Sequence, residues 1–216
     1  MSPPPNKPNL QEIYERFAET YEANRALFDM SDVLNDFMSR LDVSKGRVLD
    51  LGCGAGEPFA RSFLEKDWEV VGVDFSKKML ELAHRYAPRM HTLYADMTEV
   101  EFPADSFDAI TCIYTLFHVP FTRHPDLFAK FQRWLRPGGK ALFTYATKEY
   151  TGQVEFTGTK EFMGQHLFYS HTTPDKLHEQ LVQAGLSVEA SDLREIGGET
   201  FLWVVAARPL SPVWTP

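Results

Sequence analysis

Cysteine is scarce in this chain, with two residues in 216. That is too few for a disulfide framework, and Cys53 and Cys112 do not have the spacing of a metal pair. Basic side chains are outnumbered, 22 lysines and arginines against 30 acids, for a formal net charge of −8. A broad nucleic-acid surface needs a basic patch, so nucleic acid is not an expected partner. No apolar run is long enough to span a bilayer, and the N-terminus has no secretory pattern. The expected home is a reducing cytoplasm, with both cysteines serving as packing residues. No internal repeat or low-complexity segment is present.

The most informative stretch is 48–58, Val-Leu-Asp-Leu-Gly-Cys-Gly-Ala-Gly-Glu-Pro. It reads as a buried strand running into a glycine loop that opens a helix. Gly52, Gly54 and Gly56 permit a tight turn and close approach of a ligand to bare backbone. The free N–H groups at the start of the next helix supply donors. Two common phosphate-binding loops are nonetheless missing. A dinucleotide fingerprint would require glycine at position 57, where Glu57 stands and would repel a pyrophosphate. No Gly-Lys-Ser/Thr follows either. What remains is Asp-x-Gly-x-Gly-x-Gly, with carboxylates at Asp50 and Glu57. Such a site suits a ligand carrying positive charge and hydroxyls rather than phosphates, a description S-adenosylmethionine fits. Pro58 is expected as the first helical residue.

The following segments repeat one theme. Residues 68–74 read as a second buried strand ending in Asp74, where one carboxylate can hold a ribose diol. Ser76 is the expected N-cap of a helix carrying Met79, Leu80, Leu82 and Ala83 and stopped near Pro88. Residues 90–97 give a third strand with Asp96 at its tip, placed to accept from an exocyclic adenine amine. Any one of these acids has a structural explanation as good as the functional one. Together with the glycine turn they favour a cofactor.

Residues 48–145 resemble the core of the class I S-adenosylmethionine-dependent methyltransferases, small-molecule type. The likeness rests on VLDLGCGAGEP, VVGVDFSKKMLELA, LYADM, FPADSFDAITCIYTLFHV and LRPGGKALFTYA, in the family's order and spacing, and residues 197–206 resemble its last strand. The resemblance implies that Asp50 and the glycines border the methionine moiety, that Asp74 holds the ribose, and that Asp96 with Met97 faces adenine. Phe75 and Met79 become apolar neighbours of the adenine ring, and Ile113 joins the cofactor side. The segment 14–21 resembles the Tyr-acid-x-x-Ala-x-x-Tyr lid of many small-molecule members, which places Tyr14 and Tyr21 on the cofactor side too. Glu57-Pro58 departs from the family, where many members carry a small or basic residue.

The chain reads as a leader at 1–9, kept disordered by its prolines, and a single domain over 10–216. Helices are expected at about 10–25 and 31–41, forming an N-terminal lid over 10–45. Five strands then alternate with helices to about residue 146, the fourth at 108–113 and the fifth at 140–145 after the Pro137-Gly138-Gly139 turn. A helix at 173–184 and strands at 186–192 and 200–207 follow. The predicted fold is therefore α/β, a Rossmann-like seven-stranded, mostly parallel sheet with helices on both faces and an antiparallel last strand.

His118, just after strand four, is the candidate catalytic residue, as a proton acceptor or as a structural anchor before Pro120. Tyr114 is a candidate substrate contact. Residues 147–172, expected to be irregular, form an acceptor-side insert in which His166, Tyr169 and His171 are further candidates, at the sheet edge where ligands bind. No His/Asp/Glu cluster has metal-ligand spacing, so no metal is expected. The reading is methyl transfer to an O, N or S atom of a small molecule. Its rivals are a non-catalytic cofactor-binding protein and a nicotinamide-dependent oxidoreductase. Oligomeric state is left open.

Overall fold

Strands buried on both faces read as continuous apolar runs rather than alternating ones, and residues 48–51, 70–73 and 109–112 have that form. In the computed structural model, which describes residues 10–24 and 27–210, they become β1 (Arg47–Leu51), β2 (Glu69–Asp74) and β4 (Phe107–Cys112). With β3 (His91–Tyr94), β5 (Leu135–Tyr145), β8 (Ser187–Ile196) and β9 (Glu199–Ala207) they make one sheet, ordered β3-β2-β1-β4-β5-β9-β8. The first five strands are mutually parallel. β9 runs antiparallel to both β5 and β8, its hairpin with β8 turning at Gly197 and Gly198, both at positive φ.

Helices cover both faces. Leu127, Phe128, Phe131 and Trp134 of α5 (His124–Trp134), with Leu177 and Leu181 of α7 (Pro174–Gln183), bury one side of the sheet. The other side is covered by α2 (Ser31–Ser39), α3 (Phe59–Glu65) and α4 (Lys77–Tyr86), through Phe37, Phe63 and Ala83 among others. Ser76 caps α4 as expected, its hydroxyl accepting from Met79 N–H at 3.2 Å. No helix among the described residues is long and apolar enough to cross a membrane.

Several boundaries differ from expectation. α1 spans Leu10–Ala23; position 25 and the proline-rich residues 1–9 lie outside the described residues. Pro58 precedes the first helical residue and occupies the N-cap of α3. β3 has four residues, so Asp96 sits in the turn beyond the strand, its Oδ1 accepting from both Thr98 N–H and Thr98 Oγ1–H at 2.8 Å. β5 begins five residues early, running through the Pro137-Gly138-Gly139 segment, with a register irregularity against β4 between Phe107 and Ala109.

The largest correction concerns 147–172. It is an ordered unit: the short α6 (Lys148–Thr151), then a hairpin of β6 (Phe156–Phe162) and β7 (Gln165–His171) turning at Met163-Gly164. Leu167 and Tyr169 of β7 pack on Ile13 and Phe17 of α1 and on Phe117 and Phe201. The hairpin and α1 thus meet over the carboxyl edge of the sheet.

Candidate active site

A cavity of about 490 Å³ opens at that edge, between the glycine loop, the tips of β1, β2 and β4, and helix α1. Its size falls within the range of small-molecule and cofactor sites, roughly 300–1,000 Å³. The loop's shape explains the alternate glycines: Gly52, Gly54 and Gly56 all have positive φ, a region closed to most side chains. At Gly52 a β-carbon would also lie 2.3 Å from Thr115 Oγ1.

Two buried carboxylates face the cavity. Asp50 is 5 % exposed and Asp74 6 % exposed. Asp50 Oδ1 accepts from Thr111 Oγ1–H at 2.7 Å. Asp74 pins the loop, its Oδ2 accepting from Gly54 N–H and its Oδ1 from Ser76 N–H, each at 2.8 Å. Burial pushes Asp50 up to about 7 despite the Thr111 bond, with the Asp74 charge adding to the rise. Burial likewise carries Asp74 to about 6 against its backbone hydrogen bonds. Two carboxylates held this far above their ordinary range favour a ligand that brings positive charge.

Most of the residues singled out from sequence meet here. Tyr14, Tyr21, Phe75 and Met79 line the cavity, as do Asp96, Met97 and Ile113. Tyr14 lies against Phe75 and Tyr21, with ring centroids 6.0 and 6.5 Å apart. Tyr114 and His118 line the end under α1. Tyr114 holds φ +53, its N–H donating to Thr144 Oγ1 at 2.6 Å, and its buried hydroxyl has no partner among the described residues.

Three residues fall elsewhere. Gly56 packs the loop on α4, where a β-carbon would meet Ala87 Cβ at 2.8 Å. His166 is exposed on the outer face of the hairpin, opposite Glu161. His171 is buried away from the cavity, hydrogen-bonded to Thr151 Oγ1 at 2.7 Å and stacked on Phe156. The period-two alternation of a strand explains the split, since His166 points opposite to Tyr169 of the same strand. Tyr169 lines a second, small void beneath Tyr114 and His118.

His118 is held at both ring nitrogens. Nδ1 lies 2.6 Å from the Phe168 carbonyl oxygen, which can only accept, so Nδ1 carries the proton. Nε2 then accepts from the Tyr14 hydroxyl at 3.2 Å. Burial lowers the imidazole to about 4, so it is neutral at physiological pH, and burial raises the Tyr14 phenol well above its usual range.

Helix α1 has two further polar contacts. Glu15 accepts from the Lys77 N–H at 2.6 Å and the Lys78 N–H at 3.3 Å, at the start of α4 where a negative charge is favoured. Gln11 donates to Tyr94 Oη at 2.5 Å. These contacts, along with Phe168, Glu199 and Tyr150, were missed in the sequence. Each depends on elements far apart in the chain, and only the Tyr14/Tyr21 spacing signalled that α1 faces the site.

Comparison with known proteins fits this geometry. Residues 48–139 match the family described as "Methyltransferase domain". The chain is 35% identical over 137 residues to "Phosphoethanolamine N-methyltransferase 3" of Arabidopsis thaliana, covering 61% of this chain and 27% of that protein. It is 26% identical over 189 residues to "Ubiquinone biosynthesis O-methyltransferase" of Aromatoleum aromaticum, covering 82% and 80%. The chain spans about a quarter of the length of the phosphoethanolamine enzymes it matches. Among solved structures, an S-adenosylmethionine-dependent methyltransferase from Mesorhizobium loti superposes with TM-score 0.69 at 22% identity, over 83% of this chain and 97% of that one.

Proposed function

We propose, from a chain that carries a class I S-adenosylmethionine-dependent methyltransferase domain, that this protein methylates a small-molecule acceptor in the cavity under α1. The observation that carries the reading is the pair of buried carboxylates, Asp50 and Asp74, beside a glycine loop with no phosphate-binding signature. A cofactor with a sulfonium and an ammonium fits that charge. Asp74, Asp96, Phe75, Met79, Met97 and Ile113 are assigned to its nucleoside end; Asp50, Gly52, Gly54, Tyr14 and Tyr21 to its methionine end. When bound, the cofactor supplies an activated methyl group. The protein's own task is to align the acceptor, exclude water and take up a proton where the acceptor carries one. Positioning of this kind is worth on the order of 7–11 kcal/mol in well-oriented cases. We place the protein in the cytoplasm, in keeping with its two free, buried cysteines. The test of the reading is production of S-adenosylhomocysteine with a panel of phenols, amines, thiols and carboxylates. Stoichiometric cofactor binding with no product from any acceptor would favour a binding protein instead.

The carboxylates give the cofactor site a pH dependence whose sign is fixed. A cation in the cavity favours the ionised forms of Asp50 and Asp74, so binding below about pH 7 expels protons. Affinity for S-adenosylmethionine is expected to rise as pH increases from 5.5 to 7.5, by up to about tenfold per unit for one released proton, and then level off. Calorimetry in two buffers of different ionisation enthalpy measures that proton directly. Affinity that falls over this interval would contradict the assignment. In the ligand-free protein both carboxyls, raised above their unfolded values, contribute stability that is lost as pH rises from about 4 through 6–7. His118 and His124, both lowered to about 4 by burial, contribute stability that is lost as pH falls from about 6.5 to 4.

Of the expected lid over residues 10–45, we assign α1 alone as the lid, supported by the Tyr14, Glu15 and Gln11 clasps; α2 packs Val33, Leu34 and Phe37 on the face of the sheet instead. Amide exchange in α1 should slow when S-adenosylhomocysteine binds. Glu15→Ala should raise the ligand-free exchange of α1 while leaving that of α5 unchanged. Identical α1 exchange with and without ligand would count against a lid.

A further inference from the structure

The methyl-acceptor end of the cavity has a chemistry of its own. Beneath Tyr14, Tyr21 and Tyr114, the adjoining void is bounded by Phe28, Phe162, Tyr169 and Glu199. Its walls are aromatic: Tyr114 meets Phe28 at 5.8 Å, and Tyr21 meets Phe162 at 6.5 Å between ring centroids. Glu199, the first residue of β9, enters this ring just after the Gly197-Gly198 turn. Its charge reaches the hydroxyls of Tyr14, Tyr114, Tyr150 and Tyr169, and burial raises its own carboxyl above the ordinary range. The Tyr150 hydroxyl donates to the Tyr169 hydroxyl at 3.1 Å. No lysine or arginine among the described residues lines this void. In the larger cavity Arg123 is the lining cation among those residues, and it is paired with Glu99 at 2.9 Å.

We propose that the acceptor is an amine, drawn in as its cation against Glu199 and the faces of the surrounding tyrosines and phenylalanines; one N–H proton passes to the Glu199 carboxylate, freeing the nitrogen lone pair that takes the methyl as the carbon–sulfur bond breaks. The proposal rests on the methyltransferase reading and specifies the substrate class of that site. A carboxylate in an aromatic enclosure is costly to ionise unless a positive charge accompanies it. Aromatic faces attract a cation through their quadrupole, and more strongly where water is excluded. The unpartnered Tyr114 hydroxyl, lining the same void, is free to accept an N–H from the amine. Lys160, whose ammonium lies over the Tyr150 ring and acts on Glu199, does not line the void, so a phosphate or carboxylate on the acceptor would meet Glu199 inside it with no cation in the wall, and an anionic amine is disfavoured at this end. The void is about 20 Å³, room for about one water. Entry of the acceptor therefore requires α1 or the β6–β7 hairpin to give way.

The test separates recognition from turnover. Protein saturated with S-adenosylhomocysteine is titrated calorimetrically with three probes: choline, its carbon isostere in which tert-butyl replaces trimethylammonium, and phosphocholine. The quaternary nitrogen accepts no further methyl, so the readout is binding alone. Choline should bind at least about tenfold more tightly than the neutral isostere, and phosphocholine more weakly than choline. Glu199→Gln should bring choline down to the level of the isostere while S-adenosylhomocysteine affinity is retained. Equal binding of choline and the isostere, or tighter binding of phosphocholine, would overturn the proposal. A Glu199→Gln protein that melts before titration leaves the wild-type ranking to decide. Failure of the wild-type protein to bind S-adenosylhomocysteine at the outset would instead overturn the methyltransferase reading beneath it.

Discussion

Asp74→Ala is expected to weaken S-adenosylmethionine binding by about 2–4 kcal/mol, the scale of charge-assisted hydrogen bonds, or roughly 30- to 1,000-fold. Two effects combine. The carboxylate has about four acceptor sites; the amides of Gly54 and Ser76 take two, leaving two for a ribose diol. Alanine also unpins the loop, since the Gly54 N–H loses the acceptor that holds it to the end of β2. Asp74→Asn keeps one acceptor oxygen but directs an NH2 group at one of the two backbone donors, so it should fall between wild type and alanine at best. Calorimetry on variants that melt cooperatively checks both. Unchanged affinity in a folded Asp74→Ala protein would remove Asp74 from the cofactor site.

Turnover should depend on His118 and Tyr14 as one unit. His118→Ala is expected to lower kcat by roughly 10²-fold, the low end of the range for acid–base groups, with cofactor affinity nearly intact. The low end follows from the burial that holds the imidazole near 4, which makes Nε2 a weak base at neutral pH. Tyr14→Phe removes the hydroxyl that Nε2 accepts from at 3.2 Å and should show a similar loss. The double variant should lose much less than the sum, because both side chains serve the same contact. A histidine of ordinary basicity would raise kcat through about pH 6.5; here no such step is expected from His118. A step near 6.5 that disappears in His118→Ala, or strictly additive losses, would contradict this account.

The sheet and the glycine-loop end of the cavity were legible in the sequence because their signals are local. The apolar run before Asp50, the alternate glycines and the acids closing β1 and β2 each declare themselves within a few residues. The hairpin over 156–171 was not legible, and the reason is physical. β6 alternates intermediate and exposed residues, while five consecutive residues of β7, 167–171, are buried because α1 and Phe117 cover one face and the rest of the fold the other. Its pattern therefore reads as neither a surface strand nor a core one. The same segment misled the assignment of His166 and His171, whose exposure and burial are set by that pairing. Gly56 shares the spacing and positive φ of its neighbours, yet its missing side chain makes room for Ala87 rather than for a ligand. Glu199 went unnoticed because nothing near it in sequence shows that its neighbours in space are tyrosines from α1, β7 and the loop after β4.

The most direct measurement of the central claim is a calorimetric comparison of S-adenosylmethionine with a reduced nicotinamide dinucleotide on the wild-type protein. A cavity that presents Asp50, Asp74 and Glu57, with no phosphate-binding loop, should bind S-adenosylmethionine one to one, with proton release at pH 6.5 and none at pH 8.5, and should leave the dinucleotide unbound. Dinucleotide binding with no heat from S-adenosylmethionine would contradict the account at its base.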